Sequence, residues 1–188
     1  APAAEPAKPQ FAVYALNSEP LTNWDPAIEF SNGIHVANNM YEQLLRYDPV
    51  KKETVPLLAE SYTVSEDGLT WTFKIREGVK FHNGNDLTPS EVAYTFQRGL
   101  LQGGYSSPQW MLAEPFLGVG NDDITMIVDE GASADDREAL LAYDPAALVA
   151  ACETVKTAIV ADDAAGTVTM TLATPWGPFL GTIANGWG

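Results

Sequence analysis

The sequence predicts a mixed α/β fold of the α+β kind, on three observations. Leu69, Trp71, Phe73 and Ile75 alternate with Thr70, Thr72 and Lys74, the period-2 pattern of a half-buried strand. Thr88-Pro89-Ser90-Glu91 places an N-cap, a proline at the first helical position and a capping-box glutamate ahead of the stripe Val92, Ala93, Phe96 and Leu100. Asp144-Pro145 opens a second helical pattern, and beyond Gly166 the run Thr167–Leu172 reads as another strand.

The remaining elements follow in order. Residues 1–9 are Pro/Ala-rich and predict a flexible linker. Phe11 to Leu16 reads as a short strand, and Asp25-Pro26 and Asn32-Gly33 as turns. Ile34, Ala37, Tyr41, Leu44 and Leu45 share one helical face, which predicts a helix over 34–45. Val55 to Ser61 reads as an apolar turn or short helical segment. Ser61 to Val64 pairs with the strand at 69–75 through a hairpin turn at Asp67-Gly68. The helix after Asp144 carries Leu148, Val149, Cys152, Val155 and Ile159 as its expected stripe. Asp162-Asp163 at its end oppose the helix dipole and predict a solvated terminus. Phe179 to Ile183 begins a new element.

Composition narrows the function. The chain has 188 residues, 46% hydrophobic and 10% aromatic, a globular balance rather than that of a disordered acidic tail. No run approaches the roughly 18 apolar residues of a membrane span. Ten Lys and Arg against 25 Asp and Glu, with Lys51-Lys52 the longest basic run, exclude a duplex nucleic-acid partner, because phosphate binding needs clustered cations. The acidity is uneven: residues 118–188 carry eleven acids and two bases, residues 1–117 fourteen and eight.

Catalytic and metal signatures are weak. His35, His82 and the single cysteine, Cys152, do not have zinc-ligand spacing, so no metal or cofactor is expected. There is no Gly-x-Ser-x-Gly elbow, and Gly118-Val119-Gly120 lacks the third glycine of a dinucleotide loop. Asn83-Gly84-Asn85-Asp86 reads as a turn. The acids from Asp122 to Glu138 sit among Gly, Ser and Ala, which favours a solvated surface over a hydrolase site. Tyr105, Trp110, Trp176 and Trp187 lie in or beside Gly/Pro/Ser-rich loops, where aromatics either line a ligand cleft or pack beneath the loop.

One ordered string is distinctive. Tyr41-Glu42-Gln43-Leu44-Leu45, Val55-Pro56-Leu57-Leu58-Ala59-Glu60-Ser61-Tyr62, Ser65 through Gly84 (SEDGLTWTFKIREGVKFHNG) and Asp86 through Phe96 (DLTPSEVAYTF) follow one another. This string resembles the family 5 extracellular solute-binding proteins, the peptide-binding components of ABC importers. Trp24-Asp25-Pro26 resembles the family's Leu-Asp-Pro, and Thr167 to Phe179 its later strand and turn. The resemblance spans nearly all of residues 10–183 and is weakest over residues 118–165.

The resemblance implies a periplasmic-binding-protein type II-like fold, of which the chain is expected to be the N-terminal part. Residues 10–34 and 166–188 would belong to the first ligand-binding lobe and residues 35–165 to an inserted domain, with the second lobe absent. It implies ligand contacts from the loop Glu29, Phe30, Ser31, Asn32 and Gly33, and from Tyr105 and Trp110 of the inserted domain. It implies a peptide ligand, a membrane permease as partner, no covalent chemistry, and an extracellular or periplasmic location with a lipid anchor or the permease as the tie to the membrane. An oligosaccharide or metal-chelate ligand on the same fold, and a stand-alone interaction domain, are the alternatives.

Overall fold

The computed structural model describes Val13 and residues 24–29, 33–102, 110–119, 124–129 and 136–184. The expected strand at 11–16, Phe30 to Asn32, Tyr105 and Trp187 lie outside the described residues. The element order is α1 (Gly33–Met40), β1 (Leu45–Asp48), β2 (Glu53–Pro56), β3 (Ala59–Val64), β4 (Thr70–Ile75), α2 (Pro89–Gln102), α3 (Trp110–Leu117), a 3-10 turn at Ile124–Ile127, α4 (Arg137–Ala142), α5 (Pro145–Ala158), β5 (Ile159–Asp162), β6 (Thr167–Thr171) and α6 (Phe179–Ile183).

Four strands form one antiparallel sheet in the order β3-β4-β6-β5, while β1 and β2 form a separate hairpin. The expected boundary between residues 165 and 166 falls in the β5–β6 hairpin of that sheet. The alternation read in β4 governs its packing. Phe73 and Ile75 are buried, whereas Thr70, Thr72 and Lys74 face outward, half-buried. Phe73 pairs across the ladder with Tyr62 on β3 and Val168 on β6, and Trp71 with Val64 and Met170. The opposite face is threonine-rich, with the Thr72 and Thr169 hydroxyls 3.4 Å apart. Against the apolar face pack Val92, Phe96 and Leu100 of α2, Leu112 and Phe116 of α3, Val155 of α5 and Phe179 and Ile183 of α6.

Local signals hold where both partners are near in sequence. Gly68 takes φ +74° in the β3–β4 turn, the left-handed conformation that glycine adopts without Cβ strain. The Asp67 carboxylate accepts from Leu69 N–H at 3.0 Å in the same turn. Thr88 N–H donates to Glu91 Oε2 at 2.9 Å and the Thr88 hydroxyl donates to the same oxygen, so the capping glutamate reaches back as its spacing predicts. Asp144 caps α5 by accepting from Ala146 N–H at 2.9 Å.

Four expectations are corrected. The helix over 34–45 stops at Met40, and Leu45 opens a strand. Leu44 and Leu45 are buried as the pattern required, but the Leu44 carbonyl accepts from Leu57 N–H and Ala59 N–H, both at 3.0 Å, which draws the backbone into extended pairing. The segment 55–61 is not helical: it is the end of β2, a bend at 57–58 and the start of β3. In α5, Ala151 and Val155 are the buried positions, while Val149 is 60% exposed because it lies off that face and Ile159 already belongs to β5. Finally, Asp163 does not face the end of α5. Its carboxylate accepts from Ser90 N–H at 2.9 Å and from the Ser90 hydroxyl at 2.7 Å, so it sits at the start of α2, where a negative charge complements the helix dipole.

Two predictions follow from this packing. Phe73→Ala lowers unfolding free energy in urea by about 3–5 kcal/mol, the range for truncating a fully buried phenylalanine; Trp71→Ala, at a half-buried position, costs less. Asp163→Ala lowers the thermal midpoint by removing the α2 start contact, and Asp162→Ala, whose carboxylate serves only the neighbouring turn through Ala165 N–H, lowers it less.

Candidate functional site

The expected ligand loop begins at a turn that Asp25 organises with both its backbone and its side chain. The Asp25 carbonyl accepts from Ile28 N–H at 3.1 Å and Glu29 N–H at 2.9 Å, and its Oδ1 accepts from Ala27 N–H at 3.0 Å. From α2, the Arg98 guanidinium clamps the same carboxylate with two parallel donors, Nη1 to Oδ1 at 3.0 Å and Nη2 to Oδ2. A planar fork matched to a carboxylate fixes orientation as well as distance.

Glu29 is buried, with 6% of its surface exposed, and its Oε1 accepts from Gly33 N–H at 3.3 Å. That amide is the first of α1, so a carboxylate satisfies a helix-start donor that has no partner within the helix. Of the expected site residues, Glu29 and Gly33 are thus brought together at the ends of the loop. Trp110 opens α3. Phe30, Ser31, Asn32 and Tyr105 lie outside the described residues.

A cleft of about 570 Å³ adjoins this turn. Its walls are the Pro26–Ala27 turn, the α1–β1 connection, the loop from Val79 to His82 and the inner face of α2. Leu44, Leu58, Val92 and Phe96 give it an apolar lining, and Gln43, Lys80, His82 and Arg98 give it polar groups. Gln43 is itself buried and donates from Nε2 to Asn38 Oδ1 at 2.9 Å, which closes the end of α1 onto the strand that follows. Neither Glu29 nor Gly33 lines this cleft.

Arg98 escapes sequence reading. It lies in the helix after Thr88 but outside the apolar stripe, and its partner is 73 residues away. The one usable signal is Asp25 itself, since an aspartate that orders a turn this close to the core calls for a cation.

Within the acidic stretch, Asp129, Asp136 and Glu138 are exposed. Asp136 accepts from Ala139 N–H at 2.9 Å near the start of α4, and Asp129 accepts from the Tyr143 hydroxyl at 3.5 Å. Partial desolvation, followed by the Asp129 charge, holds the Tyr143 phenol above its usual range. Among the described residues no three His, Cys, Asp or Glu side chains converge on a point that would hold a metal, and no helix is long and apolar enough to cross a membrane.

The sequence model of the bacterial extracellular solute-binding proteins, family 5 Middle, matches residues 53–186. The chain belongs to this family. Among curated relatives, the family 5 chain is 36% identical over 109 residues to di/tripeptide-binding protein 2 of Pseudomonas aeruginosa, covering 53% of this chain and 20% of that protein. It is 39% identical over 94 residues to the nickel-binding periplasmic protein of Escherichia coli, covering 46% and 18%. It is 34% identical over 96 residues to heme-binding protein A of Haemophilus influenzae, covering 47% and 17%. The family 5 chain therefore spans about a fifth of these relatives' length.

Solved structures agree on the fold. Listeria monocytogenes OppA bound to peptide superposes with a TM-score of 0.64 at 19% identity, over 90% of this chain and 28% of that one. The substrate-binding domain of an oligopeptide ABC transporter from Bacillus anthracis gives 0.61 at 24% identity, over 87% and 26%. The mixed α/β architecture is that of type II periplasmic binding proteins, of which this chain forms a part.

The Asp25–Arg98 pair sets a pH dependence. Hydrogen bonding from Arg98 is the largest influence on Asp25 and holds its carboxyl below the usual carboxylate range, while burial opposes this. Because the folded value lies below the unfolded one of about 3.9, the pair stabilises the fold fully above that pH. The contribution disappears as pH falls through the folded value. Asp25→Asn is therefore expected to cost about 1 kcal/mol at pH 7, the upper end for a partly solvated ion pair, and to match the unsubstituted chain once the pH is acid enough to protonate Asp25. Urea unfolding of both chains across the acid range checks this.

Proposed function

We propose that the protein containing this chain captures short peptides outside the cytoplasmic membrane and presents them to the permease of an ABC importer. The membership of residues 53–186 in the family carries this reading, and the peptide-binding relatives support it. In it, the first lobe contributes the loop from Glu29 to Gly33, and Tyr105 and Trp110 add ligand contacts from the inserted unit. Glu29 shapes the loop, since its carboxylate is turned to the Gly33 amide, and Phe30 to Asn32 meet the ligand. Main-chain pairing with an extended peptide gives affinity with little dependence on side-chain identity. The inserted unit holds the four-stranded sheet, with the return to the first lobe drawn after β6, whose ladders to β4 and β5 tie it to that sheet. A second lobe, supplied by the remainder of the protein, closes over the ligand. Binding and closure, rather than bond making, are the activity, and a lipid anchor or the permease holds the protein at the membrane.

A second reading changes only the ligand. The nickel- and heme-binding relatives match this chain about as well as the peptide-binding ones, so a metal chelate or porphyrin is the alternative occupant.

Calorimetric titration with a mixed pool of di- to pentapeptides distinguishes the two, using this chain and the natural protein that contains it. Binding by the longer protein alone is expected. No peptide binding by the longer protein, with heat from a nickel chelate or heme, replaces the first reading with the second.

A further inference from the structure

We propose that Arg98 is a positioning residue for solute capture: from α2 it holds the Asp25 turn, and through that turn Glu29 and the start of α1, in the arrangement the ligand meets. The inference rests on the reading that the first-lobe loop after Asp25 contacts the solute.

The chain of contacts is continuous. Arg98 makes two donor contacts to the Asp25 carboxylate. The Asp25 carbonyl in turn accepts from Glu29 N–H, and the Glu29 carboxylate accepts from Gly33 N–H. No step in that relay exceeds 3.3 Å where a distance is given, and Glu29 is buried. α2 is itself seated on β5 and β6, with Gln97 donating to the Ile159 carbonyl at 2.7 Å. Arg98 thereby ties the turn to a helix that is seated on the sheet.

A guanidinium suits this task where an ammonium does not. Two parallel bonds to one carboxylate fix the rotation of the Asp25 side chain, and that side chain also accepts from Ala27 N–H. Losing the fork frees the turn, and the ordering of Glu29 and Gly33 is then deferred to the moment of binding.

The test uses the natural protein that contains this chain, with the same di- to pentapeptide pool as probe. Hydrogen exchange by mass spectrometry is followed at residues 33–40 and, as a reference, at residues 70–75. In Arg98→Gln, apparent affinity is expected to fall about tenfold, as for a loop that must be ordered on binding. Exchange at 33–40 quickens while that at 70–75 stays unchanged. Arg98→Lys falls between, and Arg98→Gln combined with Asp25→Asn is no worse than either alone, since both remove one interaction. Unchanged affinity in Arg98→Gln overturns the proposal, as does an affinity loss accompanied by equally faster exchange at 70–75, which marks general loosening. Should Arg98→Gln fail to fold, Asp25→Asn, which leaves α2 intact, decides by the same comparison. If the unsubstituted protein binds no peptide, the peptide reading fails, and exchange at 33–40 in Arg98→Gln still decides whether the relay exists.

Discussion

β4 is hydrogen-bonded along both edges, to β3 on one side and β6 on the other, and the rest of the described structure is arranged around the side chains it presents. On its buried face Phe73 lies 5.9 Å from the Tyr62 ring and 6.4 Å from that of Phe179. Phe179 also meets Trp71 at 5.3 Å and stands edge-on to Phe116 at 5.7 Å. Tilted and edge-on contacts at these distances are favourable beyond the area they bury. One aromatic cluster thus joins β3, β4, α3 and α6, elements that are more than 100 residues apart at their extremes. At the end of β4 two cations extend the same control to loops. Lys74 donates to the Ala165 carbonyl at 2.9 Å and Arg76 to the Leu57 carbonyl at 3.0 Å. Gly166 takes φ +68° beside Lys74, the left-handed conformation that glycine adopts without Cβ strain.

What could be read from the sequence was what short-range physics determines. The Asp67-Gly68 hairpin, the Thr88–Glu91 cap and the Asp144 cap each close within a few residues, and all three appear in place. The α1–β1 boundary was lost because Tyr41, Leu44 and Leu45 satisfy a helical stripe equally well, and only the amides of Leu57 and Ala59, more than ten residues on, decide for extended backbone. Asp163 was misassigned for a related reason. Beside α5 it looks like an unfavourable helix-end charge, but the sheet brings it to the start of α2, 73 residues earlier. Arg98 and Asp25 are separated by the same interval, and no periodicity marks either as the other's partner.

The family match and the Asp25 turn lie on different stretches of the chain. The family match covers 53–186 and so includes the four-stranded sheet, α2 and α5, but it leaves out the Asp25 turn and α1. Relatives named for peptide, nickel and heme stand at comparable identity to this chain, and a shared fold does not by itself fix a ligand. What the scaffold does determine is where that margin stands. α2 carries Arg98 at a height set by its seat on β5 and β6, and the turn follows from there.

The charge balance makes this arrangement more telling. With 25 acids against ten Lys and Arg, cations are the scarcer partner. The structure uses Lys74 and Arg76 on backbone carbonyls, while Asp163 accepts from Ser90 at the start of α2, where the helix dipole favours a negative charge. Lys51, Lys80 and Lys156 pair with carboxylates close by in sequence at exposed positions, where such pairs contribute little. Asp25 alone among the carboxylates of the described ion pairs is met by an arginine fork across a long sequence interval at a partly buried position. A carboxylate that must orient a turn as well as be neutralised needs a directional partner, and neither a helix dipole nor a lysine provides direction of that kind. Among the described residues, the long-range ion pair therefore stands where direction matters, between the sheet-borne helix and the turn that leads into α1.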